Sequence, residues 1–113
     1  MTVKMLNEND SNEKTITLHS GNALLEIVPE VGGCITRYCL ETEEQVLELL
    51  RPATKAGLAT KNPVEMGCFP LVPFSNRIRN GRFSFQGQQI NLPPNFPPEV
   101  HTIHGHGWKV PWN

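Results

Sequence analysis

Several things are scarce in this 113-residue sequence. No apolar run approaches the ~20 residues a membrane helix needs. The opening "MTVKMLNENDSNEK" lacks the apolar core of a secretory signal. Those first residues, 1–13, are polar, and the reading expects them to be frayed. A cytoplasmic location is the resulting expectation. Cysteine is limited to Cys34, Cys39 and Cys68. The number is odd and no CxxC spacing occurs, which argues against a disulfide framework and a structural zinc site. Buried free thiols in a reducing compartment are the simpler expectation. Aspartate is almost absent: Asp10 stands alone. No run of Lys and Arg exists either. Residues 1–50 carry three basic and nine acidic groups, and residues 51–113 carry seven and two. The basic half is interrupted by proline, so the split is not read as a nucleic-acid surface.

What is present is a series of short strand patterns. "TITLHS" alternates with period two, "SGN" is a turn signal, and "ALLEIVP" follows as the second strand of a hairpin. "VGGCITRYCLE" reads as a tight turn and a third strand. "EQVLELL" is short, rich in Val and Leu, and stopped by Arg51-Pro52, so it reads as strand. Residues 51–70 show no strong period and read as a long connection. The character changes after that. Seven of the eight aromatics lie between Phe69 and Trp112, and eight of the ten prolines lie from Pro63 onward. Such proline density forbids helix and confines strands to short pieces. "GRFSFQGQQINL" predicts a β-hairpin turning at Gln86-Gly87, with Phe83 and Phe85 on a buried face. Together these segments predict an all-β fold, an antiparallel β-sandwich. The chain stops at "WKVPWN" just after its most distinctive motif, and the rest of a larger sandwich is expected to be missing.

Two segments could carry chemistry. In "PFSNRIRNGRF", Arg77 and Arg79 share one face of a strand and Ile78 faces opposite. Guanidinium offers five donors in a fixed fork, and Asn offers both donor and acceptor. That suits sugar hydroxyls, carboxylates or phosphates. Arg79 and Arg82 are better read as a solvated strand face, whereas Asn76 and Arg77 follow a segment that anchors the backbone and are read as functional. In "HTIHGHGW", an extended path would put His104 and His106 on one face and His101 opposite. No HExxH or comparable spacing exists, so no metal is assigned. An imidazole is the commonest acid–base group near neutral pH, and Gly105 and Gly107 let backbone approach a ligand. Trp108 could stack on a sugar face or pack in a core. Of the carboxylates, only Glu65 and Glu99 lie near these motifs.

The combined pattern "GCFPLVPFSNRIRNGRFSFQGQQINLPPN" followed by "HTIHGHGW" resembles the aldose 1-epimerase (galactose mutarotase) family. "VPEVGGCITRYCLE" is similar to an early strand of that family. The resemblance runs from about residue 15 to the end. It implies that residues 14–113 are the N-terminal part of a large antiparallel β-supersandwich. It implies an isomerase that interconverts α and β anomers of an aldose, with no metal or organic cofactor. A glutamate takes the C1 hydroxyl proton, a histidine protonates the ring oxygen, and the ring opens and recloses on either face. The family's arginine matches Arg77 and binds sugar hydroxyls. Its motif histidine matches His104, near the reacting centre, and Asn76 matches the residue before the arginine. Site residues implied here are therefore His104 as a catalytic candidate, with Asn76, Arg77, His104 and Trp108 toward substrate. The family's acid histidine and basic glutamate come from later segments. The 113 residues alone are therefore expected to bind an aldose weakly, to lack mutarotase activity and to self-associate through exposed strand edges. A non-catalytic carbohydrate-binding β-domain is the competing expectation.

Overall fold

The structure, a computed structural model, describes residues 2–6 and 14–113. It divides into two compact units, Met1–Pro70 with Trp108–Asn113, and Leu71–Gly107.

The first unit is built on a five-stranded sheet in sequential order: β1 (Thr2–Leu6), β2 (Thr15–Ser20), β3 (Ala23–Val28), β4 (Cys34–Glu41) and β5 (Val46–Glu48). Every pairing is antiparallel. The β2–β3 hairpin closes through Gly21, whose φ of 57 only glycine adopts cheaply. The expectation of a frayed start needs correcting for Thr2–Leu6, which pairs in register with β2. The rest of that expectation, residues 1 and 7–13, lies outside the described residues.

The glycine pair expected to turn before β4 does so. Gly32 and Gly33 both take positive φ, 59 and 66. The turn is closed by Gly33 N–H donating to Pro29 O and Cys34 N–H donating to Val31 O, at 3.2 and 3.1 Å. It brings Val28, Val31, Cys34 and Met66 into one buried cluster, with Ala53, Leu58 and Phe69 against it. Burial first, then the neighbouring Cys68, pushes the Cys34 thiol up to about 11, so it stays protonated. Cys34 and Cys39 are buried as expected, but Cys68 is exposed. Edge strand β5 is tied to β4 by Arg37, which donates to Glu48 from Nε and Nη2 at 3.0 and 2.7 Å.

The connection over 51–70 is not structureless. It holds a one-turn helix, α1 (Lys55–Ala59), and a 3-10 turn at Pro63–Glu65. Caps rather than apolar periodicity make α1. The Thr54 hydroxyl accepts from Gly57 N–H at 2.9 Å, and the Thr60 hydroxyl donates to Ala56 O at 2.9 Å. Among the described residues no helix is long and apolar enough to cross a membrane.

The second unit contains two two-stranded ribbons, β6 (Arg77–Ile78) with β9 (Thr102–Ile103), and β7 (Arg82–Phe85) with β8 (Gln88–Asn91). The β7–β8 hairpin turns at Gln86 and Gly87, with φ of 49 and 76, the double positive φ of a type I′ turn. The expected burial of its aromatic face is not found. Phe83 is 41% exposed and Phe85 61%. A period of two says which side chains share a face, not what covers that face. Phe83 instead forms part of a mostly apolar cavity of about 470 Å³, together with Phe74, Ile78 and Leu92.

Candidate functional site

The site residues of the second unit are organised by the short β6–β9 ladder. Arg77 pairs with Ile103, and Ile78 with Thr102. One step beyond Arg77 and Ile103 stand Asn76 and His104. Both leave the extended region, with φ of 63 and 58. They interlock. His104 N–H donates to Asn76 O, and Asn76 N–H donates to the His104 Nδ1, each at 2.9 Å. Positive φ at a non-glycine residue costs roughly 1 kcal/mol or more, and two such residues facing each other persist because these bonds hold them.

This interlock has a chemical consequence. With Nδ1 accepting a backbone N–H, the neutral ring carries its proton on Nε2, so His104 is set as an Nε2–H donor. The Asn76 side chain is partly committed: its Oδ1 accepts from Arg77 N–H at 2.9 Å, which leaves Nδ2 as donor. A second pair repeats the arrangement at the other end of β6. Asn80, at φ 52, donates its N–H to the His101 Nδ1 at 3.1 Å. His101 was not singled out from sequence, and neither was this role for Asn80.

The structure corrects the extended reading of "HTIHGHGW". His104 and Gly105 are both left-handed, so the alternation that put His104 and His106 on one face is broken. His106 N–H and Gly107 N–H both donate to Val72 O at 2.9 Å. Gly105 lies against the same carbonyl and the Pro73 ring, where a Cβ would overlap both.

Asn95 fastens this loop, and sequence reasoning missed it. Its Nδ2 donates to Ile103 O and Gly105 O at 2.7 and 2.8 Å, and its Oδ1 accepts from Ile103 N–H at 2.8 Å. The bonds fall on both sides of His104. The available signal was an amide residue alone among prolines in "PPNFPP", where backbone N–H donors are few. Thr102 adds a bond from Oγ1 to Pro93 O at 2.7 Å. Asn95→Ala is expected to cost about 2 kcal/mol, since three bonds are lost and buried backbone groups lose partners. Loss of amide-exchange protection at Ile103 checks this, and unchanged protection contradicts it.

Arg77 does not stand alone either. Its Nε and Nη2 donate to Glu99 Oε2 and Oε1, each at 2.7 Å, in a side-on fork. The hydrogen bonds from Arg77 hold the Glu99 carboxyl below the usual carboxylate range, partial burial opposes this, and the charges of Arg77 and His101 add to the lowering. Arg77 is shifted up by the same pair. A carboxyl-carbon NMR titration is expected to find Glu99 below the ordinary glutamate range, and back within it in Arg77→Leu. Because the folded value lies below the unfolded one, the pair's contribution to stability is present above the ordinary range. It is lost as pH falls through the Glu99 transition.

Trp108 belongs to the first unit and is 2% exposed. Its ring stacks on Phe69 with centroids 5.5 Å apart, and the Lys109 ammonium lies 4.9 Å from the ring centroid. Its backbone abuts Gly32. Of the two roles expected from sequence, this placement makes Trp108 a packing residue, with no ring face open to a sugar. Asn76, Arg77 and His104 are brought together within the second unit.

The model of the aldose 1-epimerase family matches residues 14–113. Over 96 residues the chain is 41% identical to YphB, an uncharacterised protein of Escherichia coli K12, covering 85% of this chain and 30% of that protein. A crystal structure from Escherichia coli K12, described as a candidate aldose 1-epimerase, superposes with a TM-score of 0.73 at 38% identity, over 89% of this chain and 32% of that one. A galactose mutarotase-like protein from Clostridium acetobutylicum gives a TM-score of 0.73 at 24% identity, over 98% of this chain and 32% of that one, a likeness of fold. The antiparallel, all-β architecture matches the sandwich fold of these structures. The chain spans about a third of the length of the relatives it matches.

Proposed function

The chain belongs to the aldose 1-epimerase family, and on that premise we propose that Asn76, Arg77 and His104 form one wall of a site for an aldose. The reaction it serves is the interconversion of α and β anomers by acid–base ring opening and closure. Arg77 and the Asn76 Nδ2 donate to ring hydroxyls. His104 donates from Nε2 to an oxygen near the reacting centre. The observation that carries the reading is the Asn76–His104 interlock, which fixes the imidazole tautomer beside Arg77.

The wall does not complete the chemistry. Ring opening needs a base for the C1 hydroxyl proton and an acid for the ring oxygen, each contributing roughly 10²–10⁴-fold. Glu99 is the carboxylate joined to Arg77, and its lowered affinity for protons makes it a poor base. We therefore assign to the 113 residues sugar binding without the acid–base pair. The alternative, a carbohydrate-binding domain without catalysis, draws support from the same engaged Glu99. Polarimetry on freshly dissolved α-glucose and α-galactose tests the missing acid–base pair. No rate above buffer is expected. A fast rate abolished by His104→Ala would mean that the chain carries a complete acid–base site.

The three free thiols suit a reducing, cytoplasmic compartment. Self-association belongs to the same proposal. Val46 and Leu47 are each 50% exposed on the edge strand β5, a template for pairing. Light scattering at high concentration is expected to show mass above that of the monomer, and a clean monomer contradicts this.

A further inference from the structure

We infer that Glu99 sets the charge selectivity of the proposed sugar wall, occupying one edge of the Arg77 fork and balancing its charge so that an uncharged aldose is favoured over a phosphorylated or carboxylated one. The inference rests on the reading of Asn76, Arg77 and His104 as that wall.

A guanidinium is by default a receptor for anions. Its planar fork matches carboxylate and phosphate oxygens two at a time. An arginine facing sugar hydroxyls with nothing to balance it would therefore prefer a sugar acid or sugar phosphate. Here the Nε–Nη2 edge is already filled by the two Glu99 oxygens at 2.7 Å each. What Arg77 retains is the outer hydrogen of Nη2 and both hydrogens of Nη1. Those include the end-on Nη1–Nη2 pair, which can reach neutral hydroxyl oxygens. An anionic group would have to displace Glu99 or settle beside its negative charge, and either costs affinity.

Glu99 is held in place to do this. Its N–H donates to Phe96 O at 3.0 Å, which fixes the loop that carries it. Its carboxylate remains charged at neutral pH because Arg77 and, more weakly, His101 stabilise that form. His101, its other electrostatic neighbour, accepts through Nδ1 from Asn80. Glu99 thereby positions the guanidinium plane as well as balancing its charge.

The test compares glucose, glucose 6-phosphate and glucuronate as ligands of the 113-residue chain, with Kd values read by NMR titration. The wild type is expected to bind glucose at least as tightly as either anion. Glu99→Gln keeps the shape and one acceptor but removes the charge. It is expected to shift the anion-to-glucose preference about tenfold toward the anions, an effect that weakens with salt. Glu99→Asp keeps the charge in a shorter side chain and is expected to retain the wild-type preference. Tighter binding of an anion by the wild type overturns the inference, whatever the variants do. So does an unchanged preference in Glu99→Gln, or a Glu99→Asp that behaves like Glu99→Gln. In those cases glucose binding still upholds the sugar wall. If no sugar binds any form, the wall itself falls and the inference falls with it.

Discussion

Gly105→Ala is expected to destroy the arrangement of the His104 loop, at a cost of about 3 kcal/mol or more. Two effects add. Gly105 has φ of 68, a region that costs a residue with a Cβ roughly 1–2 kcal/mol. The added Cβ would also overlap the Val72 carbonyl and the Pro73 ring, and backbone cannot step aside as a side chain can. That carbonyl accepts from both His106 N–H and Gly107 N–H, so moving it breaks two bonds at once. Amide exchange at His106 and Gly107 checks the outcome, with protection lost in the variant. Gly87→Ala is the control. Its φ is 76, but nothing lies within 4 Å of the new Cβ. It should cost only the backbone strain, about 1 kcal/mol. Equal costs at the two positions would mean that φ alone matters and that the packing against Val72 does not.

Trp108→Ala is expected to cost about 3–5 kcal/mol, as for other large buried aromatics. The ring is 2% exposed, stacks on Phe69 and lies under the Lys109 ammonium. Truncation removes that stack and leaves a cavity beside the glycine turn, where the Trp108 backbone abuts Gly32. Denaturant unfolding measures the loss. Trp112, 41% exposed, serves as the comparison and should cost clearly less. A Trp108→Ala loss below about 1 kcal/mol would contradict a packing role, since burial on that scale is worth more.

Strands β2 to β5 of the first unit were legible because they are short and apolar-patterned, with turn or stop signals between them, whereas the polar start hid β1. Gly21, Gly32 and Gly33 mark turns that glycine alone adopts cheaply. The β7–β8 hairpin was legible for the same reason at Gln86-Gly87. Exposure of Phe83 and Phe85 was not, because alternation carries no information about the covering layer. The helix α1 escaped notice because two threonine side chains fix a single turn, too short for any period. Arg77 and His104 were legible as a motif, yet their geometry was not. Left-handed His104 cannot be read from an apolar pattern, and its partner Asn76 is 28 residues away. Asn95 and Glu99 act by side-chain bonds across the loop. Such pairings depend on tertiary closure, which spacing along the chain does not encode.

The most direct measurement of the sugar wall is an imidazole-nitrogen NMR titration of the 113-residue chain with glucose and galactose. The account predicts that His104 Nδ1 remains an acceptor throughout and that the His104 Nε2 and Arg77 Nε signals move together as sugar is added. Arg77→Ala should abolish the movement at Nε2. Sugar-induced changes that spare both residues, or that persist unchanged in Arg77→Ala, would contradict it.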